Sequence, residues 1–379
     1  MGMYNRFIRQ PFNIRLAAVL VSLLCIGYLV IAGKELLSPL IFSSLFAILL
    51  LPFARWLEIK CRLPRSMACM LSVLLLLSAI GLLLYMVGSE ISGLSSDWPV
   101  FKEQMGNSIN ALQDWVSKKF HVDALKQLNY VHTATGKLLD SGTVVLGATL
   151  VSLSSMVLFL VFTFIYTFLF LVYRSLIMKF FLAVFLEENA AVVTDIVEQV
   201  QYIIRKYIIG LLLEMAIVAT AVSIAFSIMG VKYAILLGII TGLFNLVPYV
   251  GIFTALLIST LVTFATAAAA SKIVLVIVVL LVIHLVDSNV LLPLIVGSKV
   301  RINALVTVVG VVIGEMIWGI PGMFLSVPVV AVLKIIFDRV PSLQPWGLLL
   351  GDEEAKKQSR KLEKAIDKVE QVVQDESPK

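Results

Sequence analysis

Three acidic residues that interrupt long apolar runs are the side chains of this sequence best suited to chemistry. Glu214, Asp287 and Glu315 each lie in a stretch that carries almost no other charge. A charged side chain at the centre of a membrane helix costs roughly 2.5–3.5 kcal/mol on insertion scales, so an acid retained there is a candidate for binding or proton transfer. We expect Asp287 to change protonation. Glu214 lies near a predicted cytoplasmic helix end, from which its carboxylate could reach the membrane surface.

Polar neighbours strengthen the case for Asp287. His284 precedes it by one helical turn and would share its helix face, so the two could form a proton-accepting pair. The plainer interpretation of His284 is an interfacial or hydrogen-bonded histidine, and Asp287 itself could instead cap a helix or bond to a neighbouring one. The candidates for proton coupling are thus Asp287, Glu315, Glu214 and His284.

Two apolar stretches have lengths that fit no simple span. Residues 233–270 and 303–337 exceed the roughly 20 residues of one membrane helix but fall short of two helices and a turn. Glycines and prolines break each stretch near its middle. Broken backbone at membrane depth is tolerated only inside protein or beside a watery cavity, and paired breaks point to a transporter binding site. The predicted substrate or ion path comprises Asn245, Pro248, Gly251, Asp287, Asn289, Pro293, Glu315, Gly319 and Gly322.

Each interrupted stretch is either one long kinked span or a re-entrant hairpin. The loop with Lys299 and Arg301 is external in the first arrangement and cytoplasmic in the second. Because positive loops favour the cytoplasm, the charge pattern slightly favours hairpins, although Lys272 is then external. Hairpins would give the two halves inverted orientations. Two long tilted helices packed through glycines remain the alternative.

Composition places the whole chain in a membrane. It is 60% hydrophobic and 14% charged with a mean hydropathy of +1.01, against roughly 45–50% and about 25% in soluble domains. We predict an all-α integral membrane protein with about eight hydrophobic segments and both termini in the cytoplasm. The net charge of +6 is explained by lysines and arginines in cytoplasmic loops beside the span ends. The sequence has no basic patch with interleaved aromatic residues, so it does not indicate nucleic-acid binding. Dispersed histidines argue against a metal centre, and the absence of hydrolase or nucleotide motifs argues against an enzyme. No cofactor is expected.

The predicted organisation has six parts. The N-terminal spans one to three occupy 1–89, an extracytoplasmic helical module 90–147, and span four 148–173. A cytoplasmic amphipathic helix follows at 174–206, then a core with the two interrupted segments at 207–340 and a charged cytoplasmic tail at 341–379. We also expect a homo-oligomer, for which the short heptad-like spacing of the tail is weak support.

Three strings in the C-terminal half resemble a known group. They are YAILLGIITGLFNLVPYVG, DSNVLLPLIVGSKV and GVVIGEMIWGIPGMFLSVPVVAVLK, and together they resemble the autoinducer-2 exporter family of bacterial permease-like proteins. The resemblance implies efflux of a small polar signal molecule, or cation-proton exchange, across the bacterial inner membrane. Its motifs fall on Pro248, Tyr249 and Gly251, then on Asp287, Asn289 and Pro293, and last on Gly314, Gly319, Gly322 and Pro328. Family members often have a proline after the Gly-x-x-Val element, but Arg301, Ile302 and Asn303 follow that element here. The resemblance therefore identifies the fold better than the substrate.

These observations predict a secondary transporter that exports a small polar molecule such as autoinducer-2. Its partners would be that solute, H+ or Na+, and the lipid bilayer. Alternatives are a Na+(Li+)/H+ antiporter, a passive channel built from several subunits, and a membrane scaffold.

Overall fold

The chain folds into helices throughout the part that the structure describes. The computed structural model describes residues 12–96, six positions between 99 and 110, 156–185, 190–247, 250–266, 270–295 and 302–351. Five helices there are long and apolar enough to cross a membrane, or six if one bent pair counts as a span. The predicted all-α membrane class is confirmed. The helices are α1 Phe12–Ala32, α2 Lys34–Lys60, α3 Arg65–Ser96, α4 Met156–Val172, α5 Arg174–Val184, α6 Ala190–Ile228, α7 Ala234–Asn245, α8 Val250–Thr266, α9 Ala270–Val286, α10 Leu292–Ile295, α11 Ala304–Trp318, α12 Ile320–Arg339 and α13 Gln344–Leu350.

Short connections join the first three helices. Gly33 alone separates α1 from α2, and a four-residue link ending at Pro64 separates α2 from α3. Proline at this point suits a helix start, because its missing N–H would be unpaired there. Helix α3 continues to Ser96, beyond residue 89, where the predicted N-terminal spans end. Most of the predicted external module at 90–147, and the tail beyond Gly351, lie outside the described residues.

The segment predicted as a cytoplasmic helix at 174–206 and a span from 207 forms two helices that divide elsewhere. Helix α5 ends at Val184, and α6 runs unbroken for 39 residues. The change from an amphipathic to an apolar pattern does not break the backbone, since no proline interrupts α6. The point at which α6 enters the membrane stays a prediction.

Helices α7 and α8 form a first hairpin. Leu237 and Val262 belong to one buried cluster, whereas a continuous helix would separate residues 25 positions apart by roughly 37 Å. The chain reverses at the turn that follows Asn245, where Gly251 packs against the backbone of Phe244. The predicted hairpin is therefore present in place of a kinked span.

Helices α11 and α12 form a second hairpin. Gly314 and Gly322 bring their backbones together across it, and Gly310 faces Ser326 and Val330. These pairs run in opposite directions along the chain, as an antiparallel hairpin requires. The reversal occurs at Gly319, whose φ of +66° lies in the left-handed region that glycine adopts without a steric penalty.

The two hairpins open at opposite ends of the bundle. Lys272, at the start of α9, donates a hydrogen bond from Nζ to the Gly230 carbonyl at 3.1 Å, beside the base of the first hairpin. The helical segment from Ser271 continues for 25 residues to Ile295, and only six residues separate Ile295 from Ile302 at the base of the second hairpin. A segment of this length spans about 37 Å. The hairpins are thus inverted relative to each other.

Candidate transport site at the tip of the first hairpin

The side chain of Asn245 joins two buried acids at the tip of the first hairpin. Its Nδ2 donates to Oε1 of Glu214 at 3.1 Å and to Oδ2 of Asp287 at 3.0 Å. Glu214 comes from α6 and Asp287 from the segment that follows α9. A primary amide has two N–H donors, so each acid receives one. We call these three residues the carboxylate cluster.

Glycines on α7 bring Asn245 to this place. Gly238 and Gly242 press against α6, where a Cβ on Gly242 would lie 2.6 Å from the Met215 carbonyl and 2.8 Å from Cβ of Ala219. Small residues allow helix backbones to approach this closely in membranes. Gly242 is one turn before Asn245, so the close contact sets the asparagine amide beside Glu214.

A π-helical turn presents Asp287 to the cluster. Residues Asp287–Leu291 are π-helical, and the Leu292 N–H bonds to the Asp287 carbonyl five residues back. Pro293 follows directly, and a proline both lacks an N–H and crowds the carbonyl four residues earlier. The wider turn accommodates that defect. Single π turns of this kind are frequent at functional sites.

The two acids are buried, and one oxygen of each carboxyl group lacks a hydrogen bond in the part of the chain that the structure describes. Glu214 is 2% and Asp287 4% exposed. Among the described residues Oε2 of Glu214 and Oδ1 of Asp287 have no hydrogen-bond partner, and both carboxyl groups bond to the single amide nitrogen of Asn245, which places them close together. Within the described residues neither acid forms an ion pair. Two adjacent buried carboxylates cannot both stay charged at low cost. The arrangement is chemically suited to hold a proton or a small cation.

A small cleft reaches the cluster. It has room for about one water molecule and borders Asn245, Asp287 and Gly251. His284 also lines it, and Nε2 of this histidine lies 3.3 Å from Oγ of Ser288. No hydrogen bond joins His284 to Asp287 among the described residues, so the pairing of these two side chains stays a prediction. The histidine is nevertheless part of the same cleft.

Glu214 lies deeper than one interpretation of its position allowed. Its carboxylate could have reached the membrane surface, but the structure buries it against Asn245. Thr241 was not singled out at all, although it is buried and lines the cleft. Its spacing was the available signal, because Thr241 lies four residues before Asn245 and therefore on the same helix face.

Other predicted path residues lie apart from the cluster. Asn289 is exposed, and its amide donates to the Leu285 carbonyl of its own helix. Pro293 is also exposed. Glu315 is exposed on α11, and Gly319 and Gly322 form the reversal of the second hairpin. Pro248 lies outside the described residues. The structure thus brings together Glu214, Asn245, Gly251, His284 and Asp287.

Comparison with known proteins identifies the family. The model of the AI-2E transporter family matches residues 16–342. "Putative transport protein YrrI" of Bacillus subtilis (strain 168) is 27% identical over 319 residues, which are 80% of this chain and 86% of that protein. "AI-2 transport protein TqsA" of Escherichia coli (strain K12) is 25% identical over 325 residues, 84% of this chain and 90% of that protein. The fold, the interrupted hairpins and this match agree, and the chain therefore belongs to the AI-2E family of membrane transporters.

Proposed function

We propose that this protein is a gradient-driven secondary transporter that exports a small polar molecule, such as autoinducer-2 or a related metabolite, across a bacterial inner membrane. The carboxylate cluster carries the proposal, because it places two incompletely bonded acids at the tip of an interrupted membrane segment. Family membership supports the transport role. The relative named for AI-2 transport supports the class of solute.

The coupling ion acts on the hairpin through Asn245. When H+ or Na+ neutralises the acid pair, the asparagine amide and the two carboxyl groups remain together at low electrostatic cost. When the ion leaves, repulsion between Glu214 and Asp287 favours separation of α6 from the π-helical turn. Since Asn245 ends α7, either change moves the tip of the first hairpin. Binding or release of the ion thereby changes the side of the membrane to which the substrate path opens.

The size of the cleft favours a second candidate, Na+(Li+)/H+ antiport. Space for about one water molecule beside two carboxylates and an amide accommodates a bare cation better than an organic solute. Oxygen ligands are also those that hard cations prefer. In this case the acid pair would bind H+ and Na+ in alternation.

The experiment is flux into proteoliposomes of the full chain. Inside-out vesicles receive radiolabelled autoinducer-2 under an imposed pH or Na+ gradient, and a trapped pH dye reports Na+-driven proton movement in parallel. The proposal predicts gradient-dependent solute uptake, which falls at least tenfold in Asp287→Asn. Proton movement driven by Na+ or Li+ without solute uptake would assign antiport instead.

Two results would overturn both candidates. Steady single-channel currents that need no gradient coupling would indicate a passive channel. A folded protein without any flux would indicate a scaffold. Wild-type flux in Asp287→Asn would remove the carboxylate cluster from the mechanism.

A further inference from the structure

The helix α5 leaves its span at a steep angle. Its axis is bent by 70° from that of α4 at Tyr173. Membrane spans tilt on average about 20° from the bilayer normal. A helix that turns 70° away from such a span runs close to the membrane plane. The predicted membrane-spanning part of α6 begins after Arg205 and Lys206, and positive residues at the end of a span favour the cytoplasmic side. Helix α5, which precedes α6, therefore lies at the predicted cytoplasmic end of the bundle.

One face of α5 is apolar and uncovered. Leu176, Phe180 and Val184 follow each other at four-residue intervals and are 61%, 61% and 60% exposed. Residues so spaced form a stripe along one side of a helix. Ile177, Met178 and Leu182, on another side, are partly buried. The outward apolar surface of α4, which includes Ile165 and Leu169, leads toward this stripe.

Positive charge lies on α5 and at the end of α2, which contacts the start of α5. Lys179 is exposed on α5, and Lys60 and Arg62 are exposed at the end of α2. We call α5, the end of α2 and the start of α3 the corner. Among its described residues the acid Glu58 is already paired with Arg174 at 2.6 Å, so this described part carries a net positive charge.

Specific bonds hold the corner together. Nη1 of Arg65 donates to Oγ of Ser175 at 3.1 Å, which ties the start of α3 to α5. Trp56 is 51% exposed one turn before Lys60, and tryptophan favours the headgroup level of a membrane. The corner thus combines a headgroup marker, basic side chains and an apolar stripe.

We propose that this corner binds the anionic cytoplasmic leaflet of the membrane. Leu176, Phe180 and Val184 enter the upper acyl region, while Lys60, Arg62 and Lys179 contact lipid phosphates. A helix with an apolar face and flanking basic residues, lying in the interface, is the arrangement that anionic membrane surfaces bind. The inference stands independently of the transported solute, because it uses none of the carboxylate cluster.

A depth measurement tests the apolar stripe. Spin labels are placed by Phe180→Cys or, as the matched control, Lys179→Cys in the full chain with Cys25→Ser and Cys61→Ser, while the buried Cys69 stays. In vesicles of phosphatidylcholine and phosphatidylglycerol, the label at 180 should be accessible to oxygen and shielded from a water-soluble nickel complex, and the label at 179 should show the reverse preference. Equal nickel access at both positions would place α5 in water. Shielding of position 180 from both reagents would mean that protein, such as a second copy, covers it. Either result overturns the proposal.

A second measurement tests the charge with all cysteines intact. The midpoint of thermal unfolding is compared in nanodiscs of pure phosphatidylcholine and in nanodiscs with one third phosphatidylglycerol. The anionic lipid should raise the midpoint, and Lys60→Gln combined with Lys179→Gln should remove at least half of that rise. Lys34→Gln takes one charge from the opposite end of α2 and should leave the rise unchanged. A rise that persists in the double variant, or that Lys34→Gln reduces equally, would contradict binding at this corner.

Discussion

The two hairpins share one architecture but differ at their tips. In each, two helices fold back on a glycine contact, and the two enter the bundle from opposite ends. The first hairpin ends in Asn245, which binds two buried acids. The second ends in Trp318, which donates a hydrogen bond from Nε1 to the Val30 carbonyl of α1 at 3.0 Å, and its nearby acid Glu315 is exposed.

This difference supports the proposal that only the first hairpin carries a binding site. Both hairpins have the interruption, but only the first is met by acids from neighbouring helices in the described structure. The second is held by backbone contact and a bond to α1, which suits a structural or gating element. We therefore expect substitutions at the first tip to remove transport and those at the second to change stability.

The largest effect is expected from Asn245→Leu. Leucine has a similar volume but no donor, so both hydrogen bonds to the acids are lost. Hydrogen bonds to charged groups contribute roughly 1.5–3 kcal/mol each. Gradient-driven flux should fall at least tenfold, and the unfolding midpoint should drop. Asn289→Leu is the control, because that exposed amide bonds only within its own helix. An equal loss of flux in Asn245→Leu and Asn289→Leu would contradict a special role for Asn245.

A smaller effect, on stability alone, is expected from Gly322→Ala. The added Cβ would collide with the Gly314 carbonyl, and overpacking costs typically 1–3 kcal/mol. Thermal unfolding of the purified protein should show a lower midpoint. Gly310→Ala provides the comparison, because its Cβ would meet Val330 at an ordinary 3.4 Å. An unchanged midpoint in Gly322→Ala would argue against the close backbone contact in the second hairpin.

Trp318→Phe should have a modest effect. It removes the bond to Val30 but keeps an aromatic ring, and one such hydrogen bond contributes about 0.5–1.5 kcal/mol. We expect a slightly lower unfolding midpoint. Flux should stay within about twofold of wild type, which corresponds to a change in activation free energy on the order of 0.4 kcal/mol. A tenfold loss of flux would show that the second tip takes part directly in transport.

The smallest effect is expected from Glu315→Gln. The side chain is exposed and belongs neither to the carboxylate cluster nor to the lining of its cleft, so both flux and stability should stay near wild-type values. Measuring both in the same proteoliposome preparation checks this. A loss as large as that of Asp287→Asn would restore Glu315 to the ion path and make the two hairpins functionally equivalent.

Sequence alone predicted the fold class and the two interruptions, and it singled out Asp287, which the structure buries in the carboxylate cluster. These follow from local rules, because apolar length, glycine and proline act on their own segment. The continuity of α6 could not be predicted from the change of polarity near residue 207, because polarity does not decide whether a helix continues. Only a residue that disrupts backbone bonding would require a break there.

The partners within the site could not be predicted in the same way. Glu214 lies 31 residues before Asn245 and 73 before Asp287, and nothing local fixes which helix faces meet. Their convergence depends on Gly238 and Gly242, whose role appears only once α7 is packed on α6. Glu315 has a similar local setting to Asp287 but points outward. Burial is thus a tertiary property that an apolar flanking sequence does not guarantee.

The central claim is that Glu214 and Asp287 act as one ion-binding unit. The most direct test is gradient-driven flux in Glu214→Gln, Asp287→Asn and the double variant, each reconstituted at equal protein density. Residues that act as a unit give strongly non-additive losses. The account predicts that both single variants lose at least tenfold and that the double variant is no worse than either. Gradient-dependent flux that persists in the double variant would contradict it.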